Sequence, residues 1–336
     1  LLPFHKIGND AVPRSIPYTR VLLIEIFRSL EANHLRTFTM NSLGALLLCG
    51  LLASCALPAS DPSSGSVRGG NETRGATSTE FTFKPSASAP IKVFMQRPAT
   101  IDAQTQIVFA LHGASRGASA TFSAWKDSVG ARNLIIVAPL FAESDYPSGQ
   151  YSEGNTASKS LVPTPATSWT FNVIEELFDH IRKTTGAPTN GYILYGHSAG
   201  GQFTHRMLMM MSKTRMTHAY AANAGWYLMP DTNVNYPYGL QNAPANAMTS
   251  CLGYSRKMTV MLGEADIDPN HYQLRRTKDA MRQGTNRFQR GNTFYETAKR
   301  DAAARNCVFN WTLHTVPGAA HEQEKMAAAT ALLLKP

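Results

Sequence analysis

The chain has 336 residues, 43% of them hydrophobic, enough to bury a large core in one or two domains. Its formal charge is +9, yet only 16% of residues are charged, and these are scattered along the chain. With no long run of Lys and Arg and no zinc or helix-turn-helix signature, the basicity reads as a general surface property that identifies no partner, and a nucleic-acid partner is not expected.

Residues 1–39 mix short apolar runs with prolines and charges and are read as an upstream extension with no share in the fold. From Met40 the text changes to MNSLGALLLCGLLASC. Its apolar run, 43–53, suits a signal-peptide core and falls short of the roughly 20 residues that a membrane-spanning helix needs. Leu52-Ala53-Ser54-Cys55 resembles the lipobox of bacterial lipoproteins. Residues 40–55 are therefore expected to be a signal peptide, with Cys55 lipidated. The expected location is export from a bacterial cell, as an outer-membrane or periplasmic lipoprotein with a lipid anchor, or as a secreted protein. Residues 56–80 are rich in Ser, Gly, Thr and Pro and read as a flexible tether, which leaves 81–336 as the folded body.

In that body, Ile91–Met95, Gln106–Leu111, Leu134–Val137, Tyr192–Tyr195, Met258–Leu262 and Val308–Val316 read as strands. Several are continuously apolar, as strands covered on both faces are. Ile174, Leu177, Phe178 and Ile181 fall at i, i+3, i+4 and i+7, one stripe of a helix that Gly186 stops. This alternation predicts an α/β domain with a mostly parallel central sheet flanked by helices on both faces. The segment 141–168 has no clear period and is expected to lie over the C-terminal edge of the sheet.

Gly196-His197-Ser198-Ala199-Gly200 matches G-x-S-x-G between an apolar strand and a helix predicted over 201–211. The glycines remove the β-carbons that would collide across a strained turn, so Ser198 is the candidate nucleophile at its tip. His197 is read as packing or orienting, on the ground that adjacent residues on the turn point apart. A serine hydroxyl needs a base, a carboxylate to orient the base, and donors for the oxyanion. In the α/β-hydrolase order of nucleophile, acid and histidine, the acid follows a strand, and here Gly263-Glu264-Ala265-Asp266 does so. Asp266 is favoured, then Asp268, then Glu264; Asp268-Pro269 otherwise resembles a helix N-cap. His321 lies on a small-residue loop after the last strand and is the candidate base. His205, His271 and His314 are less well placed. His112-Gly113 ends a strand, so the backbone amides of Ala199 and Ala114 are the expected oxyanion donors, with His112 anchoring the loop.

The stretches LHGASRGA, YGHSAGGQFTHR, AANAGWYLMPD, YPYGL, LGEADID, QGTNRFQRGNTFYETA and GAAHEQ resemble the α/β-hydrolases related to poly(3-hydroxybutyrate) depolymerases and allied carboxylesterases. The resemblance spans most of the body. It implies the α/β-hydrolase fold, an ester substrate, small or polymeric, and hydrolysis through an acyl-serine without metal or organic cofactor. Ser198, Asp266 and His321 would be the triad. A serine peptidase or amidase on the same scaffold, and a lipid-anchored binding protein with a relic site, stay open as alternatives. Trp226 and Tyr227 are candidates for a pocket wall, with burial in the core as the alternative. Arg287 and Arg290 are expected to pair with carboxylates and take no catalytic role. Cys251 and Cys307 each precede a predicted strand, and a disulfide between them is expected in an oxidising compartment.

Overall fold

The computed structural model describes residues 75–334 apart from 131 and 245–247. The expected extension, the signal segment with Cys55 and the tether as far as residue 74 lie outside the described residues. The chain runs β1 (Thr77–Phe83), β2 (Ile91–Arg97), β3 (Gln106–Leu111), α1 (Ala118–Val129), β4 (Leu134–Leu140), α2 (Ser148–Tyr151), α3 (Phe171–Thr185) and β5 (Tyr192–His197). It continues through α4 (Ala199–Met210), β6 (Met216–Ala222), α5 (Leu252–Ser255), β7 (Met258–Gly263), α6 (Lys278–Gln283), α7 (Arg287–Ala304), β8 (Trp311–Val316) and α8 (Gln323–Leu333). The strands form one sheet in the order β1-β2-β4-β3-β5-β6-β7-β8. β2 is antiparallel to β1 and β4, and every pairing from β4 to β8 is parallel.

Alternation along the central strands explains why their sequences are apolar throughout. Ile107, Phe109 and Leu111 of β3 join the core with Phe178 of α3, Phe203 of α4 and Phe294 of α7. Val108 and Ala110, between them, join Trp125 of α1 and Met326 of α8 on the other face. Both faces of the sheet are thus covered, and each strand needs apolar side chains at every position. The stripe of α3 is buried throughout, and Gly186 closes the helix at φ 75°, its N–H donating to the Arg182 carbonyl.

Two strands escape the sequence reading. Thr77–Glu80, assigned to the tether, belong to β1 and pair with Phe94–Arg97 of β2. β1 is an edge strand whose first four residues are exposed, so backbone pairing holds it and its composition looks like a linker. β6 is rich in alanine, with Thr217 and Tyr220 its one β-branched and one aromatic residue, so its strand signature is weak. The segment 141–168 is also more ordered than its composition suggests. It contains α2, and the buried Tyr151 donates through its hydroxyl to the His112 carbonyl at the end of β3, 2.7 Å away.

Cys251 and Cys307, which precede neighbouring strands β7 and β8, are joined by a disulfide with Cα atoms 5.5 Å apart. The bridge closes a loop between positions 56 apart in sequence. Replacing both cysteines by serine should lower stability by about 4 kcal/mol on the loop-entropy estimate. Urea denaturation of the oxidised protein and the double variant measures the difference.

Candidate active site

The turn from β5 into α4 is set by close backbone approach. A β-carbon on Gly196 would fall on the Gly200 carbonyl, and one on Gly200 would lie 2.6 Å from the Leu111 carbonyl oxygen. No side chain fits at either position, so the strand can reverse into the helix within a single residue. That residue is Ser198, at φ 56° and ψ −112°, a conformation L-residues rarely adopt. Its amide donates to the Ala222 carbonyl at 2.9 Å, which fixes the turn against the end of β6.

Three side chains from distant parts of the chain meet there. Ser198 Oγ and His321 Nε2 are 3.0 Å apart, and His321 Nδ1 is 2.7 Å from Asp266 Oδ2. A carboxylate only accepts, so Nδ1–H donates to Asp266 and Nε2 is left to accept from the Ser198 hydroxyl. Asp266 is 3% exposed, and its other oxygen, Oδ1, receives Nη1 of Arg287 at 3.3 Å. Asp268 is exposed instead and accepts from the Asn270 amide. No helix starts after it, because Pro269 and Asn270 form a turn, so the expected N-cap is absent. Glu264 is also exposed and accepts from the Thr315 hydroxyl at 2.7 Å, away from the histidine.

A cleft of about 330 Å³ opens beside these groups, lined among others by Gly113, Ala114, Ser198, Gln273, His321 and Glu322. Ala199 is the first residue of α4, so its amide sits at the positive end of that helix, and Ala114 lines the cleft. The turn carrying Ala114 is held by the buried His112. Its Nδ1–H donates to the Gly113 carbonyl at 2.9 Å, and its Nε2 accepts from the Phe141 amide at 3.1 Å. Both ring nitrogens are engaged in the neutral form, and burial lowers the pKa to about 4.

His197 does not turn away from Ser198 as the sequence reading holds. It lines the same cleft, and its ring centroid is 4.6 Å from that of His321. Burial first, then the neighbouring His321 and Arg287, holds its pKa well below the usual range, so it packs as a neutral ring. His205 is likewise buried and neutral, donating to the Gly201 carbonyl and accepting from the Leu228 amide. His314 lies within β8.

Trp226 and Tyr227 depart from their proposed role as cleft walls. Neither lines the cleft at Ser198, and both are buried. Gln283 pulls residue 227 inward, its Oε1 accepting from the Tyr227 amide and its Nε2 donating to the Tyr227 carbonyl. The Tyr227 ring then stacks on Phe294, and the guanidinium groups of Arg206 and Arg275 both lie over the Trp226 ring. The expectation for the two arginines of α7 divides: Arg287 pairs with Asp266, while Arg290, among the described residues, donates to the carbonyls of Gly284, Gly225 and Arg275 and to the Met281 sulfur. The sequence reading also overlooks Asn223. Its Oδ1 accepts from the Gly263 amide at 2.8 Å and its Nδ2 donates to the Ala320 carbonyl at 2.9 Å, joining the acid and histidine loops. Nothing in the sequence sets this asparagine apart from one in an ordinary turn.

No protein-family model matches the sequence, and no curated protein matches it. Among solved structures, poly(aspartic acid) hydrolase-1 from Sphingomonas sp. KT-1 is similar at 39% identity, over 76% of this chain and 97% of that one, with a TM-score of 0.74. LpqC, a poly(3-hydroxybutyrate) depolymerase from Bordetella parapertussis, is 28% identical over 76% and 89% of the two chains, with a TM-score of 0.71. An S-formylglutathione hydrolase from Agrobacterium tumefaciens shares the fold alone, at 14% identity, over 76% and 92% of the chains, with a TM-score of 0.50.

Two outcomes follow from this geometry. Gly196→Ala should collapse the turn, seen as a loss of soluble protein or a markedly lower Tm, because its β-carbon meets backbone that cannot yield. Acidification should also destabilise the fold. The folded His112 takes up its proton near pH 4, against about 6.5 when unfolded, so its contribution is complete above pH 6.5 and is lost as pH falls towards 4. That one residue accounts for roughly 3 kcal/mol, and His197 and His205 act in the same direction. Urea denaturation at pH 7 and at pH 4.5 measures the loss.

Proposed function

Because this chain belongs to the α/β-hydrolase superfamily, among the relatives of poly(aspartic acid) hydrolase-1 and poly(3-hydroxybutyrate) depolymerase, we propose that it cleaves carboxylic esters through an acyl-serine intermediate. The observation that carries the reading is the continuous chain of short contacts from Ser198 Oγ through His321 to Asp266, open to a cleft at its serine end.

The steps follow from those contacts. Ser198 Oγ attacks the ester carbonyl as Nε2 of His321 takes its proton. Asp266 stabilises the imidazolium, and the amides of Ala199 and Ala114 hold the oxyanion. The carbon–oxygen bond to the alcohol then breaks, and His321 protonates the departing oxygen. Water, deprotonated in turn by His321, attacks the acyl carbon, the bond from that carbon to Ser198 Oγ breaks, and His321 returns the proton to Oγ as the acid leaves.

A polymeric substrate is supported by the two similar structures, one from a depolymerase of a polyester and one from a hydrolase of poly(aspartic acid). Poly(aspartic acid) is a polyamide, and the 39% identity to its hydrolase favours amide cleavage as the second reading. Export with lipidation at Cys55 completes the proposal. It is supported by the lipobox-like LASC and by the Cys251–Cys307 disulfide, a bond that persists in oxidising compartments.

Ser198→Ala should retain the wild-type circular dichroism and Tm while losing turnover of p-nitrophenyl butyrate. The wild type, but not this variant, should be labelled at Ser198 by a fluorophosphonate. Parallel assays with the matching p-nitroanilide, poly(3-hydroxybutyrate) films and poly(aspartic acid) separate the two readings. Unlabelled, inactive wild-type protein would remove both in favour of a binding protein with a relic site.

A further inference from the structure

We propose that Arg287 is a positioning residue of this site: it fixes the Asp266 carboxylate so that Oδ2 meets His321, and it ties that carboxylate to the rim of the cleft through His271. The inference rests on the reading of Ser198, His321 and Asp266 as the catalytic group.

Arg287 is the first residue of α7, and its side chain is 1% exposed. Among the described residues, its Nη1 is the one donor to Asp266 Oδ1. Its Nη2 donates to Nδ1 of His271 at 3.1 Å, and the same nitrogen accepts from the Gln273 amide at 3.2 Å. Gln273 lines the cleft. One guanidinium therefore bridges the acid of the catalytic group and the loop that forms the cleft rim. The helix adds a second hold on residue 266, since the Phe288 amide donates to the Asp266 carbonyl at 3.2 Å.

Arg290, one turn along the same helix, shows what a purely structural buried arginine looks like here. Its donors go to three loop carbonyls and a sulfur, and none to the site. Among the described residues, the Arg287 side chain bonds no carbonyl and its Nε has no partner. The hydrogen bonds its guanidinium makes there go to Asp266 and to the histidine that carries the rim. The placement also solves an electrostatic problem. A buried carboxylate needs a counter-charge, and a histidine acting as base is neutral before it takes the serine proton. Arg287 supplies that charge in the resting state. A carboxylate held at one oxygen only would be free to swing about its Cβ–Cγ bond, and a displacement of about 1 Å at a catalytic group can cost on the order of 100-fold in rate.

The test uses Arg287→Lys, which keeps the buried charge but cannot bridge both partners, and Arg287→Ala. In variants shown to be folded by circular dichroism and Tm, kcat for p-nitrophenyl butyrate should fall roughly 10-fold for lysine and about 100-fold for alanine, with KM within about twofold. The acid limb of kcat/KM should move to higher pH in the alanine variant, because a carboxylate freed of Arg287 favours the imidazolium more strongly. Guanidinium ions at non-denaturing concentration should restore part of its activity, which a loss of packing alone would not allow. Fluorophosphonate labelling of Ser198 should slow in parallel with kcat. If the wild type labels and the folded variants label at the wild-type rate with an unmoved acid limb, the role of Arg287 is refuted while the proposed function stands. Should the alanine variant fail to fold, the lysine variant decides alone, and a wild-type rate there overturns the inference. Failure of the wild type itself to label removes the underlying reading.

Discussion

The site depends on how closely β5, α4 and the end of β3 approach one another. Gly196 and Gly200 leave backbone facing backbone, and Gly201 would place a β-carbon 2.8 Å from the Ala222 carbonyl oxygen. Within that space Ser198 is held in a conformation worth on the order of 1–3 kcal/mol of strain. It cannot relax, because α4 behind it is buried along its whole length and its amide is bonded to β6. The same closeness sets the N-terminus of α4 directly after Ser198, which lines the cleft. The strained conformation of Ser198 and the placement of that helix end arise from one packing constraint.

The acid and the histidine are held to that point mainly by backbone. The Glu264 amide donates to the Val316 carbonyl and the Ala265 amide to the Ala319 carbonyl, so the loops after β7 and β8 run in step. Gly263 is needed there because a β-carbon would fall on the Ala319 carbonyl. Asn223, at φ 44°, adds side-chain bonds to both loops from the end of β6. The parallel order β5-β6-β7-β8 thus delivers Ser198, Asn223, Asp266 and His321 at one edge. This is the edge where open α/β sheets place ligands, since each strand ends there in a connection free to vary.

Among the described residues, three buried arginines meet different partners. Arg287 faces a carboxylate, and Arg290 faces carbonyls. Arg206, also fully buried, lies 4.2 Å from the centre of the Trp226 ring, with Arg275 4.6 Å from the same ring. Burying a guanidinium is costly unless such partners compensate it. These contacts account for the inward position of Trp226, an aromatic residue that composition alone would equally assign to a cleft wall.

The sequence by itself determined whatever neighbouring residues decide. The glycine spacing around Ser198, the apolar runs of the central strands, the stripe of α3 and the order serine, acid, histidine are short-range or ordinal, and steric and periodic rules read them directly. Tertiary structure decided whatever depends on partners far apart in the chain. Asp266 rather than Asp268 meets His321 across 55 positions, and His321 meets Ser198 across 123. Arg287, Asn223 and the inward turn of Trp226 and Tyr227 belong to the same class, as does β1, whose polar residues are ordered only by pairing with β2. A polar side chain carries no local mark of burial. Its surroundings are set by which loops the sheet brings together, and that depends on the fold as a whole.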